Sequence, residues 1–130
     1  MKSLIAIVAG IIVGGVTGFL VQSAGDMLLG HFIGLEAISA QGAAALGKDR
    51  ATEALLVVVA AYFLGPLAGG YVAARLAPFT PAYHAMTVGG FQMIFGVIAL
   101  ALFPHPLWFS VATFLTFIPG ALVGSALSRV

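Results

Sequence analysis

Nine charged positions divide this chain into long apolar runs: Lys2, Asp26, Glu36, Lys48, Asp49, Arg50, Glu53, Arg75 and Arg129. Leu4–Val21 is an uncharged stretch of 18 residues and Ala54–Ala74 one of 21. From Leu76 to Ser128 there are 53 residues without Asp, Glu, Lys or Arg. As one helix that stretch would reach about 80 Å, against a hydrocarbon core of about 30 Å, so it must fold back on itself.

Prolines mark the folds. Pro78-Phe79-Thr80-Pro81 ends one span and starts the next, with Thr80 suited to an N-cap and Pro81 to the first helical position. Pro104-His105-Pro106 marks the second break, with Pro106 again at a helix start. Inside lipid each span must be helical, because backbone groups there find no water to bind. The pattern therefore predicts an all-α fold, a four-transmembrane-helix bundle forming one integral membrane domain over residues 1–130. The expected spans are 3–22, 54–75, 81–103 and 106–128.

Residues 23–53 make the extramembrane loop. Its apolar residues, Met27 to Ile33 and then Leu35, Ile38, Ala45 and Leu46, suggest that the first helix overruns the bilayer or bends along it. A short interfacial helix then follows as a lid. The stretch after Lys2 is too long for a signal peptide and lacks a small-x-small cleavage site, so it reads as a span.

Composition narrows the class. The chain is 62% hydrophobic and 7% charged, against about 25% charged for a soluble domain, so lipid is its expected solvent. A net charge of +1 argues against a nucleic-acid partner. The absence of cysteine excludes disulfides, thiolate metal sites and cysteine nucleophiles. Lys2, Arg75 and Arg129 fall on one side with no acid, while all four acids fall on the other. The positive-inside rule then predicts both termini inside, an N-in/C-in arrangement with a periplasmic loop. Trp108 belongs at the outer interface, and Tyr71 and Tyr83 at the inner one.

Small residues recur at four-residue spacing: Ala6, Gly10, Gly14, Gly18 in the first span and Ala61, Gly65, Gly69, Ala73 in the second. The fourth carries Ala112, Thr116, Gly120, Gly124, Ser128. Such stripes let helix backbones approach closely, which supplies packing energy where the hydrophobic effect supplies none. They suit either one intramolecular bundle or contact with a partner. Val13-Gly14-Gly15 is echoed by Val88-Gly89-Gly90, as in a repeated hairpin.

Chemical equipment is sparse. With no carboxylate or amine inside a span, a proton or cation relay lacks its parts. Gln92 in mid-span is either interhelical glue or a pore or ligand contact. His84 lies nearer the inner end, about 80° away around the same helix. Pro66 and Pro119 each remove one backbone hydrogen bond, leaving either a tolerated kink or a break that offers carbonyls to a ligand. Gln22, Tyr62, Thr17, Thr87, Thr113 and Thr116 are lesser candidates. His31 and His105, with Asp26 and Glu36, match no ligand spacing, so no metal is expected. No cofactor loop and no catalytic constellation is present, and no enzyme is expected.

Three segments carry a resemblance: Leu4 to Gly18, Gly65-Pro-Leu-Ala-Gly-Gly-Tyr-Val-Ala-Ala-Arg-Leu, and Pro104-His-Pro-Leu-Trp-Phe. The chain resembles a widespread, uncharacterised group of small bacterial four-span integral membrane proteins. The resemblance implies a multi-pass protein of the bacterial inner (cytoplasmic) membrane and lends no activity. The leading expectation is a non-catalytic membrane protein acting through helix packing, as a homo-oligomer or an accessory subunit of a larger membrane complex. The alternative is a small channel or carrier for a neutral solute or lipid.

Overall fold

A computed structural model describes residues 1–33, 48–102 and 106–130. Four helices account for nearly all of them: α1 (Lys2–Ile33), α2 (Lys48–Leu76), α3 (Pro81–Leu102) and α4 (Leu107–Leu127). Each contains a segment long and apolar enough to cross a membrane: Lys2–Gly25, Leu55–Leu76, Pro81–Ala99 and Leu107–Leu127. The chain is thus built as a multi-pass membrane protein. The interfacial helix expected over Leu35–Leu46 lies outside the described residues.

Which residues meet fixes the directions. Gly10 faces Gly69, Gly14 faces Gly65 and Gly18 faces Ala61, so α1 and α2 run antiparallel. Gly120 faces Phe63 while Gly124 faces Leu67 and Tyr71, so α2 and α4 run parallel. Gly10 faces Val88 and Gly14 faces Gln92, so α1 and α3 are parallel too. The bundle is therefore up-down-up-down, with both termini and the α2–α3 connection at one end. Helices α2 and α3 each touch every other helix, whereas α1 and α4 do not touch. The cross-section is a rhombus with α2 and α3 on its short diagonal, and its most extensive interface joins α1 to α2.

At 1.5 Å per residue the 32-residue α1 is about 48 Å long, well beyond a hydrocarbon core of about 30 Å. Its overrun and the first turns of α2 stand together beyond the apolar windows, at the end away from the termini. The expected overrun of the first helix is thus present as continuous helix to Ile33.

Helix ends follow the prolines, with two differences. Pro81 opens α3 as expected, but Pro106 is the N-cap of α4 in extended conformation (ψ 148°), and the helix proper begins at Leu107. Thr80, in the N-cap place before α3, has φ of +39° rather than the extended backbone a residue before proline prefers. Its carbonyl oxygen accepts from the backbone N–H of Tyr83 (3.0 Å) and of His84 (3.4 Å). Nδ1 of His84 reaches the same oxygen at 3.1 Å. At the same end Nη1 of Arg75, in the last turn of α2, donates to the Ser128 carbonyl at 3.2 Å. That pairing suits a cation beside helix C-termini and ties α2 to α4.

Candidate functional site

Glycine sets how closely the helices lie, and so where space is left. A methyl group on Gly10 would stand 2.7 Å from the Gly69 carbonyl oxygen, and one on Gly65 would stand 2.9 Å from that of Gly14. A methyl on Gly69 would come within 2.5 Å of the Gly10 oxygen. Added carbon at these places forces the backbones apart. Gly120 plays the same part against the Phe63 carbonyl (2.8 Å), and Gly124 against Leu67. Gly18 is looser, with 3.5 Å to the nearest atom, an ordinary contact.

The α1 and α2 stripes face each other along their seam, but on α4 the four-residue reading needs correcting. Four residues advance about 400° around a helix, so a strict stripe drifts by about 40° per step. On α4 the buried face is Phe109, Thr113, Phe117, Gly120, Ala121, Gly124 and Ser125. Ala112 and Thr116 are only half-buried and give way to Thr113 and Phe117.

Beside the Gly14–Gly65 contact, between α1 and α3, the packing opens into a cavity of about 280 Å³. Its floor is Gly14 and Gly18 of α1 with Gly65 and Pro66 of α2, and Gly15 stands at its rim. Aromatic rings wall it: Phe19, Tyr62, Phe95 and Phe117, with the Tyr62 and Phe117 centroids 5.2 Å apart. Gly96 completes the wall, and the Phe117 ring lies 2.5 Å from where its Cβ would be. Phe19 is 71% exposed and Phe95 64%, and nothing stands within 4 Å of a Cβ on Gly15. The cavity is therefore a cleft whose mouth lies between α1 and α3, on the face that meets lipid. Gln22 lines it two turns beyond Gly14, toward the overrunning end of α1.

Gln92 is the polar centre of this cleft. It is 9% exposed, and neither its Oε1 nor its Nε2 has a hydrogen-bond partner among the described residues. The expectation of Gln92 as interhelical glue thus finds no acceptor or donor across the interface. Its amide nitrogen lies against Gly14, in the space that a Cβ there would fill. A primary amide carries two donors and a two-lone-pair acceptor, and leaving such a group buried without partners costs about 1–3 kcal/mol. Among the described residues, no Asp, Glu, Lys, Arg or His lines the cleft.

The other sequence candidates separate. Pro66 is buried and joins Gln92 in the cleft, while α2 continues unbroken through it. Pro119 is exposed on the outer side of α4 and lies apart from the cleft. His84 is 1% exposed but sits two turns from Gln92, about 12 Å along α3, and does not reach the cleft. Its bond to a carbonyl means that Nδ1 carries the proton in the neutral ring, so the buried Nε2 is a lone pair without a donor. Phe79 and Tyr83 cover the ring edge-on, at centroid distances of 5.5 and 6.2 Å.

Thr87 and Thr116 bond back to the Tyr83 and Thr113 carbonyls of their own helices. The Thr113 and Ser125 hydroxyls are buried without partners among the described residues, and neither lines the cleft. His105 and Glu36 lie outside the described residues, as do the side chains of Asp26 and His31. Sequence reasoning passed over Phe19, Phe95, Gly96 and Phe117. The spacing of Gly96 four residues after Gln92, on the same helix face, is the clue to space beside the amide. No family model, curated protein or solved structure matches the chain.

Proposed function

We propose that this protein is a small membrane-embedded binding protein or carrier that takes an uncharged guest from the lipid phase into the cleft around Gln92. The observation behind this is a buried carboxamide with no hydrogen-bond partner among the described residues, on a side chain that lines a cavity opening sideways. Apolar and aromatic walls with a few polar groups are the usual make-up of small-molecule sites. A buried polar side chain within a span is costly, and its position beside open space favours a ligand over packing.

Packing as the function has less support. The stripe glycines that motivated an oligomer or accessory subunit are occupied by α1–α2 and α2–α4 contacts within the chain. Catalysis is not proposed, since among the described residues Tyr62 is the one ionisable side chain in the cleft and stands beside no base. By the excess of Lys2, Arg75 and Arg129 at the end holding the termini, we place that end in the cytoplasm of a bacterial inner membrane. The cleft then belongs to the half of the bundle toward the periplasm.

The test is native mass spectrometry of protein released from membranes with lipids retained, alongside Gln92→Leu. The expected result is a small neutral adduct on the wild type that is absent from the variant. A wild type free of adduct, or an adduct kept equally by Gln92→Leu, overturns the proposal.

A further inference from the structure

Resting on the binding reading above, we infer that the guest is an uncharged amphiphile. Its head bears a hydrogen-bond donor and acceptor side by side, as a primary amide does, and its chain leaves the cleft between Phe19 and Phe95.

Three observations carry this. The first is the chemistry of the Gln92 amide. Oε1 and Nε2 are both unpartnered, so a head with only an acceptor, such as an ester or a ketone, answers half of the site. A head with only a donor answers the other half. A primary amide answers both at once, its N–H donating to Oε1 and its carbonyl accepting from Nε2. The second is charge. With no acid, base or histidine among the described residues of the walls, an ionised head would stand without a counter-charge in a low-dielectric site, which disfavours carboxylates and ammonium groups.

The third is size and shape. A volume of about 280 Å³ is at the lower edge of the range for small-molecule pockets, enough for a polar head and the first few methylenes. A two-chain phospholipid does not fit, and a longer single chain must continue outside. The exposed part of the lining is Gly15, Phe19 and Phe95. A chain leaving there lies along the lipid-facing groove of α1 and α3 and stays in a solvent that suits it. The Gln92 side chain lines the cleft while its amide rests against Gly14, so the head meets the amide through a turn of that side chain away from the glycine.

The experiment uses full-length protein in lipid nanodiscs, titrated with decanamide, methyl decanoate and acetamide at matched membrane concentrations, with occupancy read by native mass spectrometry. Decanamide is expected to bind at least about tenfold more tightly than methyl decanoate, the cost of one unanswered buried hydrogen-bonding group. Gln92→Leu should erase that preference. Gly15→Leu, whose Cβ meets nothing within 4 Å and whose side chain would stand in the mouth, should block decanamide, while Gly90→Leu, where a Cβ is equally free but away from the cleft, should not.

Equal binding of amide and ester, or a preference that survives Gln92→Leu, overturns the inference while leaving a binding cleft in place. Acetamide binding as tightly as decanamide overturns the amphiphile and points to a guest from water. Decanamide binding unchanged in Gly15→Leu overturns the lateral exit. Binding of no probe, in protein whose helical content and melting match the expected fold, overturns the binding reading itself.

Discussion

Gly14 and Gly15 are neighbours in α1 and do opposite things. A side chain on Gly14 would run into the Gln92 amide and stand 2.8 Å from the Gly65 carbonyl, while one on Gly15 meets nothing within 4 Å. The same pair recurs in α3. Gly89 is pressed against α4, with 2.9 Å from its would-be Cβ to that of Ala121, and Gly90 is open. Successive helical residues point about 100° apart, so a glycine pair spans the boundary between a packed face and a free one. In α1 that boundary is also the edge of the cleft. One glycine lets the backbones meet and the other keeps a mouth clear.

Substitutions can break this contrast in graded steps. Gly124→Val should do the most damage, since its side chain would land on the Leu67 carbonyl and 2.8 Å from the Tyr71 nitrogen. A loss of about 3 kcal/mol, at the upper end of overpacking costs, is expected in reversible unfolding from mixed micelles. A loss below about 1 kcal/mol would mean that α2 and α4 part easily. Gln92→Leu should act in the other direction. Without guest it removes a buried, unanswered amide, so unfolding free energy should rise by about 1–2 kcal/mol. A fall would show that the amide holds helices together.

Thr80→Asn comes next. A β-branched residue at positive φ carries strain of about 1–3 kcal/mol, and asparagine tolerates that region better. A gain of about 1 kcal/mol in the same assay is expected, and no gain would mean that the three donors on the Thr80 carbonyl already compensate. The mildest change is Gly15→Ala, with an expected gain of about 0.5–1 kcal/mol from helix propensity alone. The matching Gly14→Ala should instead displace the Gln92 amide and cost stability, so the sign of the difference between these two alanines tests the contrast directly.

Much of the frame was readable from residues. The uncharged runs and the Pro78–Pro81 and Pro104–Pro106 breaks locate four helices, and the glycines at 10, 14, 65, 69, 120 and 124 all reach interfaces. What stayed hidden has a common cause. In a soluble protein, polar residues mark the outside of each helix, whereas here Leu4, Ile12, Phe19 and Phe95 are exposed and as apolar as anything in the core. Hydrophobic periodicity therefore cannot say which face of α1 meets α2 and which borders the cleft. Pro66 and Pro119 look alike in sequence, yet one is buried beside Gln92 and the other faces outward. The small-residue stripe failed on the outer half of α4 because helical twist carried Ala112 and Thr116 off the seam. His84 lies in the first turn of α3, and nothing in its sequence neighbourhood announces that its ring is buried beside the unusual turn at Thr80.

The rhombic arrangement also bears on how the protein is made. Spans leave the ribosome in order, and the extensive α1–α2 seam uses nothing beyond residue 76. A stable first hairpin can therefore form in the membrane while the rest is still being synthesised. Its second helix keeps a free flank, around Phe63, Leu67 and Gly70, on which α4 will later dock. Gln92 arrives only with α3 and Phe117 only with α4, so the cleft is the last part of the molecule to take shape. A nascent chain halted after its first hairpin has a backbone seam and no cleft.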